Sequence, residues 1–161
     1  MRVGIGYDVH RLGPGRLLIL GGLNIPSPQG LIGHSDADVL VHAIMDALLG
    51  AAALGDIGQH FPDSDPAYKG VSSIKLLAEV VALMRERGYE IVNADITVVA
   101  ERPKMAPCRA EVEQRLAEVL GTAPGNVSVK GTTTEKLGFT GREEGIAAEA
   151  VVLLRRKNET V

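Results

Sequence analysis

The chain has 161 residues, 17 lysines and arginines against 20 aspartates and glutamates, and a formal charge of -3. That balance lacks the positive field that gathers nucleic acid or an anionic membrane surface, and the length suits one domain, taken here as residues 1–161, rather than two. Hydrophobic residues make up 45% and aromatic ones only 3%, so the interior has to be built from Leu, Val, Ile and Ala around closely packed backbone.

Val3, Ile5, Tyr7 and Val9 alternate with Gly4, Gly6, Asp8 and His10. This is the period of a half-buried strand whose polar face carries Asp8 and His10. "RLLILGGLNIP", Arg16 to Pro26, predicts another strand entering a turn, and "GLIGHSDAD" a loop rich in glycine and capping residues. "VLVHAIMDALLGAAALG" is then a helix stopped near Gly50 or Gly55. "DIGQHFPDSDPAYKG" predicts an irregular loop full of turn formers and carboxylates, of a length that tends to be functional.

"SSIKLLAEVVALMRERG" places Ile74, Leu76, Leu77, Val80, Val81 and Met84 at helical spacing, with a serine start and a glycine stop. A strand over "YEIVNADITVVAER" and a helix after Pro107 follow. "NVSVKGTTTEKLGFTGREEG" reads as a short strand running into a polar loop, "IAAEAVVLLRR" as a closing strand, and "KNETV" as a frayed end. The succession predicts an α/β chain of the α+β two-layer sandwich type, a mixed β-sheet covered by helices. A doubly wound nucleotide fold fits less well, because the first strand runs toward another strand and not through a glycine-rich turn into a helix.

Cys108 is the one cysteine; it can form no internal disulfide and reads as a packed thiol at a helix start. No apolar run reaches the ~20 residues of a membrane helix and no signal segment is evident, so a cytoplasmic location is expected.

Residues i and i+2 of a strand face the same side, so Asp8 and His10 can converge on one ion. His42 interrupts an apolar helical run, with Asp38 and Asp46 four residues to either side on the same stripe. It reads either as a core histidine bonded to Asp46 or as a third ligand completing an Asp/His/His set with an open corner, which is what catalytic zinc requires. Three loops, His34–Asp38, Asp56–Asp65 and Lys130–Lys136, add hydroxyls, carboxylates and amides suited to a phosphorylated polyol. Each loop taken singly also reads as a cap or a solvated turn.

"GYDVHR", "HSDADVLVHAIMDALLGAAALGDIGQHFPDSDP", "ERPKMAP" and "GTTTEKLGFTGREEGI", in that order, resemble the 2-C-methyl-D-erythritol 2,4-cyclodiphosphate synthase family from Gly4 to Leu153. The resemblance implies a homotrimeric, ferredoxin-like or chorismate-mutase-like plait that cyclises 4-diphosphocytidyl-2-C-methyl-D-erythritol 2-phosphate with release of CMP, in the non-mevalonate isoprenoid pathway. It implies zinc on Asp8, His10 and His42, magnesium or manganese on Glu135 with the diphosphate, and His34 and Thr133 at the transition state. Asp46 would orient a histidine.

Ser35, Asp56, Gly58 and Asp63 would bind the erythritol portion, and Ile57, Phe61, Pro62, Ser64 and Asp65 would also contact the substrate. Ala100, Glu101, Arg102, Pro103, Lys104, Met105 and Ala106, with Thr132, would cradle the cytidine, and Thr134 would also contact the substrate. Active sites would lie between subunits. Phe139 and Arg142, near the threefold axis, would border a cavity that in some members takes an isoprenoid diphosphate. Two other readings of the same residues stay open: a zinc hydrolase with His34 as base, and a metal-stabilised trimeric binding module without turnover.

Overall fold

The protein is described by a computed structural model that covers residues 1–157, so most of the expected frayed end lies outside the described residues. In chain order the elements are β1 (Arg2–Gly13), β2 (Leu18–Leu20), β3 (Leu23–Ile25), β4 (Gly30–Ile32), α1 (Val39–Ala52) and α2 (Ile57–His60). Then come α3 (Ser73–Glu86), β5 (Tyr89–Val99), α4 (Arg109–Leu120), β6 (Val127–Thr132), α5 (Gly138–Gly141) and β7 (Gly145–Arg156). Five strands form one mixed sheet in the order β4-β1-β7-β5-β6, and β2 pairs with β3 as a separate hairpin.

β1 is antiparallel to β4 and β7, β7 is antiparallel to β5, and β5 is parallel to β6. Hence β1 and β5 run parallel on either side of β7, the split strand-helix-strand arrangement of a plait, and β5-α4-β6 adds an adjacent parallel pair. α1, α3 and α4 layer on one face of the sheet. The sheet-and-helix sandwich expected from the order of elements is what the chain forms. None of its helices is long and apolar enough to cross a membrane, among the described residues.

Of residues 39–52, all but Asp46 and Gly50 are buried. A helix apolar on nearly every side must sit inside the protein, and α1 does so against β1 and β7 on one side and α3 on the other. Contact with β1 is made through glycine. A Cβ on Gly4 would stand 1.9 Å from the Ala47 carbonyl oxygen, and one on Gly6 2.0 Å from that of Ala43. The backbones of strand and helix therefore touch, as the shortage of aromatic residues demanded.

This packing corrects the reading of β1. The glycine, Asp8 and His10 face is the covered one, while Val3, Ile5 and Tyr7 on the apolar face are 68%, 63% and 59% exposed. Alternation fixed the two faces but not which of them the helices would cover, because glycine counts as neither apolar nor polar surface. Other differences are local. The 30–32 stretch pairs with Arg11–Gly13 as β4 instead of looping, being too short to show a period. α1 stops at no glycine: Ala53 takes the left-handed cap at φ 56. α2 and a 3-10 turn at Pro66–Tyr68 interrupt the expected irregular loop.

Candidate active site

β1 presents Asp8 and His10 on its helix side, and α1 brings His42 across from them. The ligand atoms of the three all lie within 4.8 Å of one another. Asp8 Oδ2 is 3.0 Å from His10 Nδ1 and 3.1 Å from His42 Nδ1, and the two rings meet edge-on with centroids 5.0 Å apart. Burial pushes the Asp8 carboxyl up, but the two neighbouring imidazoles, His10 and the hydrogen-bonded His42, outweigh it and hold the group at about 2. Burial pulls the His42 imidazole down, and Asp8, with the charges of Asp38 and Asp36, more than offsets that, leaving it raised.

His10 Nδ1 is buried yet finds no partner in acceptable hydrogen-bond geometry, although the Asp8 oxygen is near. A buried ring nitrogen without a hydrogen bond asks for an explanation. Two imidazole nitrogens and one carboxylate oxygen aimed at a common point fit a divalent ion, and zinc by donor type.

The 34–38 loop is held from three sides. Asp36 N donates to Val71 O at 3.0 Å and Gly70 N to His34 O at 2.8 Å, zipping the loop to the segment before α3. The Arg16 guanidinium donates to Gly33 O at 3.2 Å and Ser35 O at 2.7 Å. Asp38, wholly buried, caps α1 by accepting from Val41 N and also takes the N–H groups of Gly21 and Gly22 in the β2–β3 turn. His34 Nε2 lies 3.1 Å from Asp65 O.

Asp46 does not orient a histidine. Its carboxylate accepts from Ile57 N at 2.8 Å and steadies the start of α2. His42 Nε2 instead faces the hydroxyls of Ser73 and Ser35, at 3.0 and 3.2 Å.

A cleft of about 520 Å³ opens beside the cluster and brings together Asp8, His10, His34, Ser35, His42, Ile57, Gly58, Phe61, Pro62 and Asp63. Asp56, Ser64 and Asp65 fall outside its lining. Asp56 caps α2 through Gln59 N and Asp65 caps the next turn through Ala67 N. Tyr68 and Met45 also line it; no local pattern singled them out.

A second cavity, about 370 Å³, gathers Ala100, Pro103, Lys104, Met105, Ala106, Thr132 and Thr133 with Lys130 of the same 130–136 stretch, and adds Arg109, which the sequence reading missed. Glu101 is occupied otherwise: its carboxylate accepts from Thr134 N and Lys136 N at 3.2 and 3.1 Å. That carboxylate steadies a turn in which Glu135 and Lys136 both have positive φ, 54 and 65. Thr134 Oγ1 donates to Leu137 O at 2.6 Å, a structural bond. Arg102 is mostly solvent-exposed. Glu135 reaches toward Thr133 Oγ1, 3.4 Å away. Phe139 lies in α5, and Arg142, just after it, pairs through two nitrogens with Glu144.

The two cavities share no lining residue. Pairing registers put Asp8, Ala148, Val98 and Gly131 in one row across β1, β7, β5 and β6, three strand spacings or about 14 Å.

A mixed sheet backed by helices, with an Asp-His-His cluster at the mouth of a cleft and a second cavity level with it, defines a small α+β enzyme with a site suited to a divalent metal. The chain belongs to the YgbB family, whose model matches residues 1–155. It is 62% identical over 154 residues to the 2-C-methyl-D-erythritol 2,4-cyclodiphosphate synthase of Symbiobacterium thermophilum, covering 96% of this chain and 98% of that protein. It is 59% identical over 156 residues to that of Bacillus cereus strain B4264, covering 97% and 99%.

Among solved structures, a 2C-methyl-D-erythritol-2,4-cyclodiphosphate synthase superposes with TM-score 0.88 at 41% identity, covering 96% of this chain and all of that one. The bifunctional IspDF of Campylobacter jejuni superposes with TM-score 0.93 at 44% identity, covering 96% of this chain and 42% of that longer one.

Proposed function

We propose that the chain converts 4-diphosphocytidyl-2-C-methyl-D-erythritol 2-phosphate to 2-C-methyl-D-erythritol 2,4-cyclodiphosphate and CMP, as a phosphorus-oxygen lyase of isoprenoid precursor synthesis. The convergence of Asp8, His10 and His42 beside a cleft lined also by His34, Ser35 and Asp63 carries this reading, together with relatives of that name. An oxygen of the 2-phosphate attacks the β-phosphorus, the bond from that phosphorus to the bridging oxygen breaks, and CMP leaves with the bridging oxygen. The nucleophile is already an anion, which suits a cleft with no dedicated base; positioning and charge neutralisation then govern the rate.

Asp8, His10 and His42 would hold zinc, and Glu135 magnesium or manganese; such ions supply Lewis acidity and neutralise phosphate charge. His34 and Thr133 would donate to the transferring group as charge grows there. Gly58 and Asp63 would bind the erythritol portion in the first cavity, and the Ala100–Ala106 segment with Thr132 the cytidine in the second.

The active unit is a homotrimer. The bare apolar face of the sheet favours burial against other copies, and half-sites whose strand positions Asp8 and Gly131 stand about 14 Å apart in one chain become neighbours when one chain's metal cluster meets another's cytidine segment. The threefold interior, bordered by Phe139 and Arg142, would admit an isoprenoid diphosphate in competition with Glu144. The balanced charge argues against nucleic acid or membrane as partner, and a cytoplasmic location is the reading adopted.

Incubating the chain with zinc, magnesium and the cytidylyl substrate in oxygen-18 water, followed by phosphorus NMR and mass spectrometry, tests this. The expected products are CMP and a cyclic diphosphate free of solvent oxygen. A linear phosphate carrying one solvent oxygen would establish the hydrolase instead, and no turnover with intact metal binding would favour the binding module.

A further inference from the structure

His42 is gripped at both ring nitrogens, and the grip on Nε2 comes from a chain of groups that runs away from the cleft. Ser73, the first residue of α3, is wholly buried, and its Oγ lies 3.0 Å from His42 Nε2. The same hydroxyl donates to Asp36 Oδ1. Asp36 is fixed in turn, its other oxygen accepting from Ser73 N at 3.0 Å.

The direction of these bonds has a consequence for the proton on the imidazole. A carboxylate offers only acceptors, and a serine hydroxyl has a single proton. With that proton given to Asp36, Ser73 can meet His42 only as an acceptor, so Nε2 has to be the donor and carry the ring proton. Nδ1 is then left with its lone pair, and Nδ1 is the nitrogen 3.1 Å from Asp8. Ser35 also stands near Nε2, at 3.2 Å, but its own proton is not committed to a carboxylate, so it can follow either tautomer.

We propose that Ser73, anchored by Asp36, is a positioning residue for the metal cluster: it accepts the Nε2 proton of His42 and so presents the Nδ1 lone pair to the ion that Asp8 and His10 share. The inference rests on the metal reading of that cluster. It gives α3, which contributes no ligand, control over the orientation and basicity of one.

The test uses the full chain loaded with zinc and labelled with nitrogen-15 at histidine. In the wild type, imidazole shifts place the metal on His42 Nδ1 and a slowly exchanging proton on Nε2. In Ser73→Ala that proton moves upfield and exchanges faster. The zinc dissociation constant, from competition with a chromophoric chelator, rises about 10- to 100-fold.

A serine that merely started the helix would leave the Nε2 proton's shift and exchange as they were, and this result, or wild-type zinc affinity in folded Ser73→Ala, would overturn the inference. If Ser73→Ala does not fold, the wild-type spectrum alone decides, since metal on Nε2 and proton on Nδ1 would also overturn it. A wild-type chain that takes up no zinc would remove the metal reading and this inference with it, which separates the two failures.

Discussion

Asp38 does two jobs with one carboxylate, capping α1 and pinning the β2–β3 turn, and it does them with no exposure to water. Burial pushes the group up to about 6; the N–H donors of Gly22, Gly21 and Val41 pull against that, and Asp36 adds to it. Unfolded, the group is an ordinary aspartate near 3.8. The folded chain therefore holds a proton that the unfolded chain releases between about pH 4 and pH 6, so this group's contribution to stability falls as pH rises through that window, by up to about 3 kcal/mol.

Asp38→Asn should flatten that part of the profile while lowering stability at every pH, because an amide N–H would oppose a backbone N–H. Urea midpoints of the metal-free chain across the window measure both. At this scale the ligands were legible because each follows a local rule: two-residue spacing for Asp8 and His10, and a polar residue in an apolar stripe for His42. Ser73 and Asp36 were not, since a hydroxyl at a helix start and an acid in a capping loop look the same whether or not they meet behind a histidine. Asp46 misled for the converse reason: helical spacing placed it beside His42, and the N–H of Ile57 claimed it.

Between elements, the contact that sets the metal cluster is β1 against α1, and it depends on glycine in the strand. Gly6→Ala would drive a methyl group to 2.0 Å from the Ala43 carbonyl oxygen, and helix backbone cannot step aside as a side chain can. The expected result is a loss of about 1–3 kcal/mol or more, with weaker zinc binding because α1 carries His42 away from Asp8. Gly50→Ala, where an added Cβ meets nothing within 4 Å, should instead be neutral or stabilising by about 0.5–1 kcal/mol. Thermal unfolding and a zinc titration of both variants check this; an unchanged Gly6→Ala would mean that the strand and helix are not held so closely. The main strands and helices were legible from period and caps. The identity of the covered face was not, because a glycine row carries no hydropathy signal even where it makes the tightest packing in the fold.

Over the whole molecule, the sheet has one face under helices and one face bare, where Val3, Ile5, Tyr7 and Val151 lie open. Burying that face against other copies is the expectation, and Ile5→Asp should oppose it: light scattering would report monomers, zinc content would stay near that of the wild type, and turnover would be lost. Full activity in a monomeric variant would place both half-sites within one chain. The composition hinted at none of this, since a count of apolar residues does not say which stay outside.

The row that joins Asp8 to Gly131 across four strands has a genetic consequence. In the proposed assembly a chain lends its zinc-side residues to one neighbour and its nucleoside-side residues to another. A defect in a single copy, if it struck both ends of that row, would be inherited by two separate reaction centres, and two chains damaged at opposite ends could together rebuild an intact one.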